Sequence, residues 1–550
     1  MIERTDVESF NNEDYVAVPI TETSQSTQEL GSSIAINEES IADSVPRLAR
    51  QNSLTESVYE SVVETALDAP SGDSPFPLAY SSTKKFWVMM FWSGLIGAVM
   101  GLVDTGFLNA ADEIPVLWVN CDFSTKISCG DFYNGQLYWI PIVGVTGFFV
   151  GLIAWLTNLP KNLPGFYHEI HAAEGNLKWG FIVSFLSMCS LSGGAALGPE
   201  QGIGGLGAGI GQFIREYFKF EDESDGKMLV LCGIAGAMGA LFPSPVLAAV
   251  MVFELSTPPK PYVEAFSLLF FSAFVSWCIF EPLAQMSYAV PSNTNSIKLG
   301  YQWNSLGFQQ SQVVVGFICG CICAGLGFMI LLIQGVCTQV FNRLRYLLSF
   351  SSFLQAVVPA VVGGVVIGTI NWALPLTVGR GSLQTQYFIN FASNAKYGVS
   401  IQLLFCTGFS RMVTLSVSNS CGFKGGLFFS IISIGIIFGT IAYRYYNYLP
   451  YALLLSCFMS GVAAAIAPIP IALCGIAWFT FFLGEGLTVP VFVCCLTAYS
   501  ILSGCGILQI LLARQKLSEK QESSNRAAND ESNKDMVAVA NEQKLNSELN

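Results

Sequence analysis

Apolar runs separated by short polar links fill the chain from residue 86 to residue 512. The pattern predicts helices over 86–108, 137–156, 179–192, 228–255, 263–280, 313–332, 354–374, 401–417, 422–443, 451–467, 471–482 and 488–512. Several fall short of the ~20 residues that a perpendicular span needs. Others are interrupted by Gly and Pro, as at Pro243-Ser244-Pro245. Broken helices are tolerated at membrane depth only where protein or a water-filled cavity satisfies the backbone. A site inside the protein is therefore expected. Between these runs, 109–135 reads as a polar loop, 159–176 as a short interfacial or re-entrant piece, and 215–227 as a charged, exposed link.

The stretch 191–213, LSGGAALGPEQGIGGLGAGIGQF, reads as a loop that opens into a helix. Pro199 suits a first helical turn, where its missing N–H would be orphaned anyway. Small residues at 204, 207, 208 and 211 form a face for close helix packing. Glu200 is the sole ionisable group of the stretch and lies at the positive end of that helix. A carboxylate at membrane depth marks an ion path or a proton relay by default, and the alternative is a cap on its own helix. An internal repeat supports the first reading. Residues 236–245 (GAMGALFPSP) match 461–470 (GVAAAIAPIP), and the same offset carries Pro199-Glu200 onto Lys424-Gly425, ahead of a second glycine-rich helix start. Interrupted helices at corresponding positions of two halves point to a site at the repeat interface. Their N-termini would present free N–H groups to an anion there.

Composition agrees and adds polarity. A mean hydropathy of +0.52 with only 12% charged residues defines a polytopic membrane protein. The net charge of −13 says nothing about what the core handles, because residues 1–83 hold fifteen Asp/Glu against three Lys/Arg. That segment reads as a disordered acidic cytosolic tail and 514–550 as a polar cytosolic tail. The membrane domain is expected over 84–513, its first half about 86–290 and its second half about 310–513. No apolar h-region follows Met1, and Lys84-Lys85 places the first flank in the cytosol by the positive-inside rule. Both termini are expected there, in a multi-pass protein whose partner is the lipid bilayer and not nucleic acid. Cys121 and Cys129 flank a polar loop, where a disulfide and two free thiols are both open readings. His168-Glu169-Ile170-His171 spaces its histidines i, i+3, whereas a zincin needs i, i+4, so no metal site and no enzyme are expected.

These residues resemble the CLC family of chloride channels and chloride/proton antiporters over roughly 86–515. Gly198-Pro-Glu-Gln-Gly202 is similar to the family's G-[RK]-E-G-P motif, and Gly426-Leu-Phe-Phe-Ser430 to its G-x-F-x-P motif. The segment from Pro243 to Leu255 and its second-half counterpart from Ala467 resemble the family's Asn-Ala-Pro-Leu helices. The resemblance implies an all-α, CLC-like fold of two inverted repeats with broken, tilted and re-entrant helices, assembled as a homodimer with one pathway per subunit. It implies no cofactor, with chloride as the permeant ligand.

Glu200 takes the place of the family's gating glutamate. Gly202, Ile203, Lys424, Gly426, Leu427 and Phe428 fall on the segments expected to hold the anion, with the amides of Leu427 and Phe428 at its centre. Three positions depart from the family. The internal proton-transfer glutamate falls on Leu255, after Glu254. The pathway tyrosine falls on Leu508. The first-half motif around Asn162 is not recognisable, and Gly165 stands near its serine position. Lys424 stands where the family carries proline. It either adds its field to the anion site, with a resting pair to Glu200, or snorkels to an interface. Because a leucine carries no proton, the reading is a voltage-gated-type chloride channel conducting passively under control of Glu200. The alternative is a secondary active anion transporter, proton-coupled by a non-standard route.

Overall fold

The computed structural model describes residues 84–123, 126–160, 165–242, 244–256, 258–286, 309–481 and 483–504. The two tails, Leu508 and the motif around Asn162 lie outside the described residues. The helices of the first half are α1 (Lys84–Val119), α2 (Trp139–Leu156), α3 (Phe166–Ala172), α4 (Leu177–Ser192), α5 (Glu200–Tyr217), α6 (Glu223–Leu241), α7 (Pro245–Leu255) and α8 (Tyr262–Met286). Those of the second half are α9 (Gln310–Leu347), α10 (Ser352–Ala373), α11 (Ser382–Tyr387), α12 (Ile401–Cys421), α13 (Phe428–Tyr445), α14 (Tyr451–Ile466), α15 (Pro470–Phe481) and α16 (Glu485–Gly504). Among the described residues, nine helices are long and apolar enough to cross a membrane. The protein is an all-α, multi-pass membrane protein.

Several elements differ from the hydropathy pattern, among them α9, which ends at Leu347 and not at 332, and the expected helix 228–255, which is split into α6 and α7. Helix α1 runs on through 109–119, where a polar loop was expected. The residues 109–113, Asn-Ala-Ala-Asp-Glu, are compatible with a helix; Asp112 pairs with Arg380, and Ala111, Pro115 and Val119 are buried. The charged link shrinks to a short turn. Arg215 still belongs to α5, and Asp222 caps α6 by accepting from Ser224 N at 3.0 Å. Lys85 Nζ reaches Asp222 at 2.8 Å and Asp225 at 3.1 Å, and this bond holds the Asp222 carboxyl below its ordinary range. Finally, α13 starts at Phe428 and not at Gly422, because Gly422 (φ 122°) and Gly425 (φ 158°) turn the chain before the helix can begin.

Close packing rests on the expected small face. A Cβ on Gly207 would collide with the carbonyl of Gly233, and one on Gly233 with that of Gly207, so α5 and α6 cross backbone to backbone. Gly211 meets Leu229 and Val230 in the same way one turn later. On α1, Ile96 and Met100 are buried while Trp87, Phe91, Leu95 and Leu102 face outward, as a lipid-facing helix requires.

The two halves run in opposite senses. Helix α5 ends at Phe218, whose ring lies 4.3 Å from Trp92 near the Lys84 end of α1. Helix α13 ends near Arg444, which donates to Ala392 O at 3.0 Å. That region adjoins Tyr387, whose ring lies against Gly130 in the loop beyond the other end of α1. The two half-helices start together and leave toward opposite faces. The repeats are inverted.

Cys121 and Cys129 form a disulfide in that loop. Closing so short a loop is worth about 2–3 kcal/mol by the chain-entropy relation. Reductant is expected to lower the melting temperature of the detergent-solubilised wild type, and to leave a Cys121→Ser, Cys129→Ser double variant unchanged.

Candidate anion site

The loops before α5 and α13 are fastened to each other. Gly198 N donates to Gly426 O and Gly426 N donates to Gly198 O, both at 2.7 Å, in an isolated antiparallel bridge. No side chain fits at either glycine, because a Cβ would collide with the Glu200 carboxyl. Gly425 N donates to Gln201 Oε1 at 3.2 Å, and Lys424 N to Ser190 Oγ at 3.1 Å. Ala196 N donates to Ser418 Oγ at 3.3 Å, and Gly379 N to Gly194 O at 3.2 Å. Both helix starts are thus held in register before either meets a ligand.

Glu200 sits in this frame and is 3% exposed. Its Oε1 accepts from Phe428 N at 2.5 Å and from Phe429 N at 3.3 Å, while Oε2 is buried without a partner. The carboxylate lies across the N-terminus of α13, where free amides and the helix dipole favour negative charge. It caps the helix of the opposite repeat. A cavity of about 220 Å³ adjoins it, with room for a monatomic anion and several waters at ~30 Å³ each.

Glu200, Gly426, Leu427 and Phe428 line the cavity together, and Leu255 and Gly165 stand on its wall. Gly202 and Ile203 do not line it. The Ile203 amide is spent inside α5 on Pro199 O at 3.1 Å, and Gly202 packs against Ser187. Among the described ion pairs none joins Lys424 to Glu200, so the expected resting pair is not formed: the carboxylate takes amides instead. Glu254 turns away from the cavity and accepts from Ile471 N at 3.2 Å and Ala472 N at 3.1 Å, capping α15. His168 and His171 lie on the short helix α3, and no cluster of metal-ligating side chains forms among the described residues.

The cavity also holds polar groups that the sequence did not single out: Tyr167, Gln201 and Asn419. Tyr167 follows Gly165 at the start of α3, and Asn419 lies in the last turn of α12. Their one signal was the placement of polar side chains beside glycine-rich helix ends.

Opposed half-helices that start at a shared buried carboxylate define an inverted-repeat membrane transport protein. The sequence model described as "Voltage gated chloride channel" matches residues 146–503. The chain belongs to that family. The "H(+)/Cl(-) exchange transporter ClcA" of Vibrio campbellii is 22% identical over 373 residues, covering 65% of this chain and 73% of the relative. The "Putative ion-transport protein YfeO" of Salmonella newport is 23% identical over 381 residues, covering 68% and 84%. A slow cyanobacterial Cl−/H+ antiporter superposes with a TM-score of 0.64 at 18% identity, over 78% of this chain and 97% of that one. A CLC-type fluoride/proton antiporter gives a TM-score of 0.54 at 18% identity, over 76% and 96%.

Proposed function

We propose that the protein is a secondary active anion transporter that exchanges a small anion, chloride first, for protons, with Glu200 as the exchanging group. The observation that carries this reading is the seat of the Glu200 carboxylate on the Phe428 and Phe429 amides. An anion and an ionised Glu200 compete for the same donors. A proton on Glu200 removes its charge and weakens its claim on them, since hydrogen bonds to charged groups are the stronger kind. Proton binding and anion binding are thereby linked at one place, which exchange requires and simple conduction does not. The names of the relatives, exchange transporters and antiporters, support the same reading over the channel expected from Leu255. As in those relatives' family, two copies are proposed to pair, each with its own pathway, with both tails in the cytosol.

Passive conduction is the second reading. It rests on Leu255, an untitratable side chain on the cavity wall. Purified protein in liposomes decides between them. Under exchange, an imposed chloride gradient drives protons uphill in a fixed ratio. Dissipation of the gradient with no proton movement would overturn exchange. Nitrate, bromide and fluoride run in the same assay rank the anions.

A further inference from the structure

Along 198–211, the loop end and first turns of α5, only Glu200 and Gln201 carry polar side chains. Both cross to the opposite repeat. Glu200 takes the N–H groups of Phe428 and Phe429, and Gln201 Oε1 accepts from Gly425 N at 3.2 Å. The second bond orients the Gln201 amide. A backbone N–H is satisfied only by the oxygen end, so the NH2 group takes the other direction. Gln201 Nε2 donates to no described group and is not shut away from open space. The open space that Gln201 borders is the cavity of about 220 Å³ beside Glu200. Gly426, Leu427 and Phe428 border it too, so an anion there meets donors from both repeats. The tie to Gly425 accounts for one end of this side chain only. A shorter acceptor would serve that end and would lose less rotamer freedom on ordering than a glutamine does.

We propose that Gln201 Nε2 is a direct ligand of the transported anion and tips the site toward small, charge-dense anions. The inference deepens the anion-transport reading above and rests on it. A neutral N–H held in place gives an anion a charge-assisted hydrogen bond without the grip of a full cation. That bond is worth more to chloride than to thiocyanate, whose charge is spread over three atoms. Oε1, meanwhile, keeps Gly425 in place at the entry to α13. Glu200 and Tyr167 are the titratable groups that line the cavity with Gln201. Glu254 turns away to cap α15, Glu169 of α3 faces Gly205 further along α5, and Lys424 precedes Gly425 in the chain.

The test is calorimetric titration of chloride and of thiocyanate into detergent-solubilised full-length protein, with variants that separate the two ends of the amide. Gln201→Met has similar length and loses both ends. It should weaken chloride binding at least about fivefold, since hydrogen bonds to charged groups are the strong ones, and thiocyanate binding less than about twofold. Gln201→Glu keeps an oxygen for Gly425 N and loses only the NH2. At neutral pH it should weaken chloride binding at least about tenfold. Placed in a Glu200→Gln background, which has no other carboxyl at the site, Gln201→Glu should also create a pH dependence. The new carboxylate repels chloride when ionised, and its O–H donates as Nε2 did once protonated. Chloride affinity should then recover at least about fivefold as pH falls through the carboxyl range. A role confined to holding Gly425 predicts no such recovery, because a carboxyl oxygen serves that N–H in either state. Chloride affinity in Gln201→Glu equal to wild type at every pH would overturn the assignment and leave Gln201 as a tie. Equal losses for chloride and thiocyanate in Gln201→Met would overturn the selectivity. A wild type that neither binds nor moves an anion would instead overturn the anion-transport reading itself.

Discussion

Replacing Glu200 by Gln is expected to abolish chloride-driven proton movement and to flatten the pH dependence of anion flux. The carboxylate occupies two amides at the start of α13. In the wild type, lowering pH protonates it, releases the amides and raises anion occupancy. A glutamine amide has no proton to give or take across the working range, so flux should become independent of pH. Truncation to Ala goes further by emptying the site. Hydrogen bonds to a charged group contribute roughly 1.5–3 kcal/mol each. Removing a competitor held by two of them should tighten anion binding by at least about tenfold, since each 1.4 kcal/mol is a factor of ten. Calorimetric titration of chloride or bromide into detergent-solubilised wild type and Glu200→Ala measures this directly. Equal affinities in the two would mean that Glu200 and the anion do not share a seat.

Gly426→Ala is expected to displace Glu200 without removing it. The added methyl would collide with Glu200 Cδ and Cγ, and the backbone cannot yield, because Gly426 is bridged to Gly198 through both its N–H and its C=O. The side chain, the movable partner, leaves the amides for the cavity. Anion affinity should then rise toward that of Glu200→Ala, while proton coupling falls at least about tenfold because the acid no longer meets the anion. In a Glu200→Ala background the three atoms nearest to that methyl are gone, so its effect should largely vanish. The double-mutant cycle separates displacement from general damage. Comparable loss of folded protein in both backgrounds would place the effect in the bridge instead.

Hydropathy and the repeat made the two-half helical architecture legible, because both depend on local composition and on a fixed offset along the chain; its inversion was implied only by the family resemblance. Glu200, Gly426, Leu427 and Phe428 were legible for the same reason: each sits at a glycine-rich helix start. Gly202 and Ile203 show where that reasoning stops. A motif marks a helix start, but only the three-dimensional path decides which amides stay free, and that of Ile203 is spent within its own helix. Tyr167 and Asn419 reach the cavity from separate elements and carry no shared spacing, so nothing along the chain joins them to Glu200.

The bridge between Gly198 and Gly426 also constrains how the protein is made. Its two residues are separated by more than two hundred positions, so the contact has high contact order and forms late. While the first repeat alone has left the ribosome, Glu200 has no amides to meet and the Gly198 loop has no mate. The membrane-inserted intermediate therefore carries exposed backbone and an uncapped acid at depth. Such an intermediate is a natural substrate for membrane chaperones and quality-control proteases. Gly426→Pro, which removes a bridging N–H outright, is then expected to reduce yield during biogenesis, before any assay of transport can report on it.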